Sequence, residues 1–197
     1  VVQRAIGNKR EDDSNRYDST IFCLSTLANI IEASDVRKIL TEIQVMRPDG
    51  EEELWIEWLC KWVVQKTGNI RDAILSIGRK DVNKNGGDDS EPILEKDEDD
   101  KLVAAGNACV LLACLMTDIG DVSVDPESTD MIRKLILRQM PLDKHGKSTG
   151  ITMIINTLKA FCNFYHFSLG ELSLAIVGPV KKLIDSLSEW KENGDDI

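Results

Sequence analysis

Histidine is nearly missing from this chain, with two in 197 residues, positive charge is outnumbered, and no segment keeps up the apolar-polar alternation of a strand. Each shortage closes a class of function. Zinc centres and histidine-based catalysis need clustered ligands or a nucleophile beside its base. His145 has no cysteine near it in sequence, His166 has the single Cys162 four residues before it and no cluster, and Cys109 and Cys114 lie five apart inside an apolar segment. No G-x-S-x-G elbow or framed carboxylate pair occurs, so the chain reads as no enzyme, with no metal and no cofactor. With 24 Lys and Arg against 34 Asp and Glu, a net charge of −10 opposes direct nucleic-acid binding, which rests on an excess of phosphate-neutralising cations. The most apolar stretch, Leu102 to Met116, is fifteen residues, roughly 22 Å as a helix, short of the roughly 20 residues of a membrane span. No N-x-Ser/Thr acceptor occurs, and the five cysteines (Cys23, Cys60, Cys109, Cys114, Cys162) all sit in apolar segments. They read as buried thiols in a reducing nuclear or cytoplasmic compartment.

What the chain does carry is charge in blocks. From Asp88 to Asp100 there are eight acids in thirteen residues, and the uncharged run LVAAGNACVLLACLM follows almost at once. The first must stay solvated and the second can hardly face water on any side, which predicts a surface insert leading into a central helix. Between Ser128 and Ile184 eight basic residues stand against three acids, a local charge of +5 that leaves −15 for the rest. Arg133, Lys134, Arg138, Lys144 and Lys147 form the densest part of this region, a candidate partner-facing surface beside the plainer reading of solvated helix faces.

Helical signals dominate the remainder. Asp18 or Ser19 caps a helix through about Ala33, and Ser34 or Asp35 caps VRKILTEIQVM, which ends at the turn RPDG. Glu51 to Lys66 follows, with Trp55, Trp58 and Trp62 on one face, a core stripe in preference to an aromatic ligand surface. Ile70 to Ile77 is a shorter helix. After the insert come Leu102 to Met116, then Met131 to Met140 capped by Ser128 or Thr129, then Ile151 to Tyr165 capped by Ser148 or Thr149, with Thr152, Asn156, Lys159 and Asn163 as its narrow polar side. Leu169 to about Trp190 closes the series, and Gly178-Pro179 predicts a kink or a split there. The first members of the pairs begin near residues 19, 51, 100 and 149. An all-α, HEAT-like stack of about four antiparallel helix pairs is expected over 18–190, with a polar leader at 1–17, an acidic insert at 79–100 and a polar tail at 191–197. The chain opens on Val1 with no basic-then-apolar leader, and reads as a fragment.

Two local motifs fail on their details. HGKST at His145 to Thr149 ends like a phosphate-binding loop, but the position of its first glycine is Pro141 and a helix precedes it. Asp81, Asn83, Asn85 and Gly86 open like a calcium loop, but Pro92 stands where the closing glutamate belongs.

EDDKLVAAGNACVLLACLMTD, with its acidic leader, resembles the corresponding helix of the C-terminal domain of the wings-apart-like (Wapl) cohesin-release factors, a HEAT-repeat domain. DMIRKLILRQMP, ITMIINTLKAFCNFYHF and PVKKLIDSL echo that family's closing helices, and IFCLSTLANIIEAS and ELWIEWLCKWVVQKTG stand where it has paired apolar helices. The resemblance implies a non-catalytic nuclear domain, chromatin-associated, that docks on the Smc ATPase head and regulatory subunits of cohesin and promotes release from DNA. It would place the family's surface acid and apolar contact on Asp100 and Val103, with Asp99 standing where the family has an apolar residue. Capping by Asp99 and Asp100 at the helix's positive end is compatible with the same residues. Two other readings stay open: an unrelated HEAT/ARM-type adaptor or scaffold, and a ligand carrier built around the three tryptophans.

Overall fold

The computed structural model describes residues 21–31, 36–47, 49–78, 96–117, 126–145 and 148–192. The leader at 1–17, the calcium-like Asp81 to Gly86, most of the acidic insert and residues 193–197 lie outside them. The described part is mostly helical: α1 over 21–31, α2 Arg37–Glu42, α3 Trp55–Asn69, α4 Arg71–Gly78, α5 Lys96–Met116, α6 Pro126–Arg138, α7 Gly150–Leu169 and α8 Leu174–Glu192. No helix among the described residues is long and apolar enough to cross a membrane.

α5 is the hub. Every residue from Leu111 to Met116 is buried, as are Leu102, Ala104, Ala105, Ala108 and Cys109, because α3, α6, α7 and α8 all pack on it. A helix enclosed in this way has no use for a polar face, which is why its sequence shows almost no amphipathic pattern. Its neighbours do. α6 buries Thr129, Ile132, Ile136 and Leu137, a single stripe at helical spacing, and of its charged residues turns only Arg133 inward among those described. Along α5 the small residues cluster towards the start, and this sets how closely α7 approaches. A Cβ on Gly106 would come within 3.0 Å of three Phe161 ring atoms, so only glycine admits the crossing.

The C-terminal end of α5 is closed by two arginines from other helices. Arg37 of α2, 2% exposed, donates from one guanidinium nitrogen to the Cys114 and Thr117 carbonyls at 3.0 and 2.8 Å. Arg133 of α6 donates Nε to the Met116 carbonyl at 2.5 Å and lies over the Trp190 ring, 5.1 Å from its centroid. A helix leaves its last carbonyls unpaired and partially negative, and cations answer both deficits. Burial of Arg37 is tolerable because these bonds replace part of its hydration.

Several boundaries differ from those expected. Residues 44–46 do not extend the second helix. Gln44–Met46 (β1) and Glu52–Leu54 (β2) pair antiparallel, Val45 opposite Glu53, around a turn with Gly50 at φ 84°. Ile43 takes extended backbone and ends α2, and buried Glu53, held by Lys61, ties the hairpin to α3. α3 therefore starts at Trp55, not Glu51. α5 begins at Lys96, so the acids Asp97 to Asp100 belong to the helix and not to the insert, in keeping with the affinity of helix starts for negative charge. α6 opens on Pro126, where a missing amide costs nothing, and Thr129 is buried instead of capping.

Thr149 precedes α7 without capping it, since its hydroxyl donates to the Pro141 carbonyl at 2.9 Å. The helix is not split at Gly178-Pro179. α8 runs through Pro179, which lies in its second turn, and continues to Glu192, so Lys191 and Glu192 are helix and not tail. The break comes earlier, at Gly170 (φ 54°), which leads a 3-10 turn over Gly170–Ser173. Among the cysteines, Cys60, Cys109, Cys114 and Cys162 are buried as expected, but Cys23 is exposed on α1. Trp55 and Trp62 pack on the core, whereas Trp58 is 40% exposed, so the tryptophan stripe is only partly core.

Candidate protein interface

At its N-terminal end α5 leaves the core. Glu98, Asp99, Asp100, Lys101 and Val103 are half-buried, while Leu102 and Ala104 between them are wholly buried. Val103 lies three residues after Asp100 and four after Asp99, so all three share one side of the helix. One turn on, the Asn107 amide donates to the Val103 carbonyl at 2.8 Å and its carbonyl oxygen accepts from Ser25 of α1 at 2.9 Å. α1 thus bounds this surface and leaves the acidic start of the helix open beside it.

Asp99 and Asp100 are the fourth and fifth residues of the helix, inside it and not at its cap. The Asp99 carboxyl is pushed above its ordinary value, first by partial desolvation and then by the neighbouring charges of Asp100 and Glu98. A cluster of carboxylates that disfavour one another, edged by the Val103 side chain, is suited to a partner's Lys or Arg next to an apolar contact.

The basic residues do not form one surface. Arg133 is turned inward onto Met116 and Trp190 and serves the fold. Lys134 pairs with Asp130 one turn away at 2.6 Å. Arg138 is exposed in the last turn of α6, and Lys134, Arg138, Leu135 and the 44%-exposed Met131 line a shallow depression on its outer side. Lys144 is exposed in the link to α7, and Lys147 lies outside the described residues. Arg133 reaches the last carbonyls of α5, roughly 24 Å along the helix axis from Asp100.

The chemistry of the remaining polar groups is quiet. Burial pushes the Cys60 and Cys109 thiols up to about 12 and Cys162 up to about 11; Glu57 adds to the rise at Cys60, while Thr157 and Lys181 oppose it at Cys109 and Cys162 respectively. These are protonated thiols at neutral pH, not nucleophiles. Among the described residues no three His, Cys, Asp or Glu side chains stand close enough to hold a metal ion. His145 to Thr149 belongs to the link between α6 and α7, where an isolated bridge joins Leu142 and Ser148.

Sequence reasoning passed over two features. One is Arg37, whose contacts lie 77 and 80 residues away. The other is a cleft floored by the α7 residues Thr152 and Asn156, whose only sequence signal was the narrow polar side of that helix. No family model, no curated protein and no solved structure matches the chain.

Proposed function

We propose that the chain is a non-catalytic protein-interaction domain of a Wapl-like cohesin regulator, a HEAT-like stack that docks on cohesin and promotes its release from chromatin in the nucleus. Its partners are the Smc ATPase head and the associated regulatory subunits, with neither membrane nor direct nucleic-acid contact. The observation that carries the reading is the exit of α5 from the core, which leaves Asp99, Asp100 and Val103 together and half-buried at the edge of α1. Asp100 and Val103 are the positions to which the family resemblance assigns docking. The packing of chain neighbours, α5 on α6 and α7 on α8, supports the stacked-hairpin arrangement.

Calorimetric titration with the cohesin ATPase head tests this. Binding is expected, weakened about tenfold or more by Asp100→Lys, the size of loss that follows when a charge-assisted contact becomes a repulsion. Absence of heat, or equal binding by wild type and variant, would leave the reading of an unrelated HEAT/ARM-type adaptor in its place.

A further inference from the structure

Between the end of α3, α4, the 141–149 link and the first half of α7 lies a cleft of about 580 Å³. That is within the roughly 300–1,000 Å³ common for ligand sites. Its polar groups fall into two kinds. The hydroxyls of Thr67, Thr149 and Thr157 are each satisfied by a carbonyl of the chain itself, Val63, Pro141 and Met153 respectively. Thr152 and Asn156, half-buried on the floor, make no side-chain hydrogen bond among the described residues. Apolar wall is supplied by Val64, Ile74, Leu75 and Met153.

The chemistry of the floor selects among ligands. A side-chain amide offers an acceptor and two donors, the reciprocal of a peptide group's N–H and C=O. A wholly apolar ligand would strand those groups without a partner. A phosphate-rich ligand would meet a single cation, Arg71, and with it the Asp143 carboxylate in the same lining. Asp143 already accepts from the His145 backbone N–H at 2.7 Å, whereas Arg71 is exposed and in no ion pair among the described residues.

We propose that this cleft is a second docking site, one that receives a short extended peptide segment of a partner protein. One peptide group sits on Asn156, an aliphatic side chain enters between Ile74, Leu75 and Met153, and an acidic side chain close by pairs with Arg71. The site is separate from the acidic start of α5 and does not depend on cohesin being the partner.

Selection of a phage-displayed random dodecapeptide library on the whole chain tests it, with Asn156→Leu and Arg71→Glu as counter-targets whose folding is checked by circular dichroism and thermal melting. Arg71 is exposed, so its variant keeps the test alive if Asn156→Leu fails to fold. The expected consensus pairs an aliphatic with an acidic residue. A synthetic consensus peptide then binds the wild type and loses about tenfold in affinity to each variant, the effect of removing a central hydrogen bond or reversing a paired charge. No enrichment, a consensus without an acid, or peptides that bind wild type and the folded variants equally would each overturn the proposal.

Discussion

The two ends of α5 handle charge in opposite ways. At its C-terminal end the charges come from elsewhere, Arg37 from α2 and Arg133 from α6, and are bonded to backbone carbonyls. At its N-terminal end they are the helix's own carboxylates, half-exposed and mutually unfavourable. Both placements agree with the helix dipole, so the dipole does not distinguish them. Burial does. A buried charge is held to one geometry by the bonds that replace its hydration, and so belongs to the fold. A half-solvated one can exchange water for a partner at little cost, and so is free to serve recognition.

That contrast can be broken at four points. Arg37→Met should be the most damaging, since it leaves the Cys114 and Thr117 carbonyls without their donor; a loss of about 3 kcal/mol, read from urea denaturation, is expected. A loss below about 1 kcal/mol would mean that the buried end is not pinned by this guanidinium. Gly106→Ala tests the middle of the helix. Collision with Phe161 should cost about 2 kcal/mol even though alanine is the better helix former. Arg133→Ala, which removes one carbonyl bond and the Trp190 contact from a half-buried site, should cost about 1 kcal/mol, with altered tryptophan fluorescence as an independent sign.

Asp99→Asn should have the smallest effect, within about 0.5 kcal/mol. Its sign is opposite. The folded carboxyl sits above its ordinary 3.8, so the folded state holds the proton more tightly than the unfolded state. Stability from this group is present below that ordinary value and falls as pH rises through the raised one. Removing the charge should therefore stabilise slightly at neutral pH and flatten the stability profile on the acid side, measured by thermal melts across pH. A destabilised Asp99→Asn would show the acidic end to be structural and dissolve the contrast.

The sequence made the hub itself plain. Fifteen uncharged residues can only be enclosed, and the stripes of α6 and α7 announced which sides would enclose them. Its start was misplaced because a charge run reads as solvated whether helical or not, and half-buried carboxylates satisfy both descriptions. The hairpin escaped notice because its strands are three residues each, too short for alternation to register, although the turn between them was evident. Arg37 gave no signal, since a capping role 77 residues distant leaves nothing in local pattern. Of the proposed basic surface, Lys134, Arg138 and Lys144 are on the outside and Arg133 is not. Composition counts charges without regard to direction, and only packing against Trp190 turns that one inward.

The odd cysteine on α1 has a practical consequence. With Cys60, Cys109, Cys114 and Cys162 buried, Cys23 is the described thiol that an aqueous maleimide would reach first. It lies two residues from Ser25, which bonds to Asn107 just beyond Val103. The protein thus carries its own attachment point for a dye, on the helix that packs beside α5.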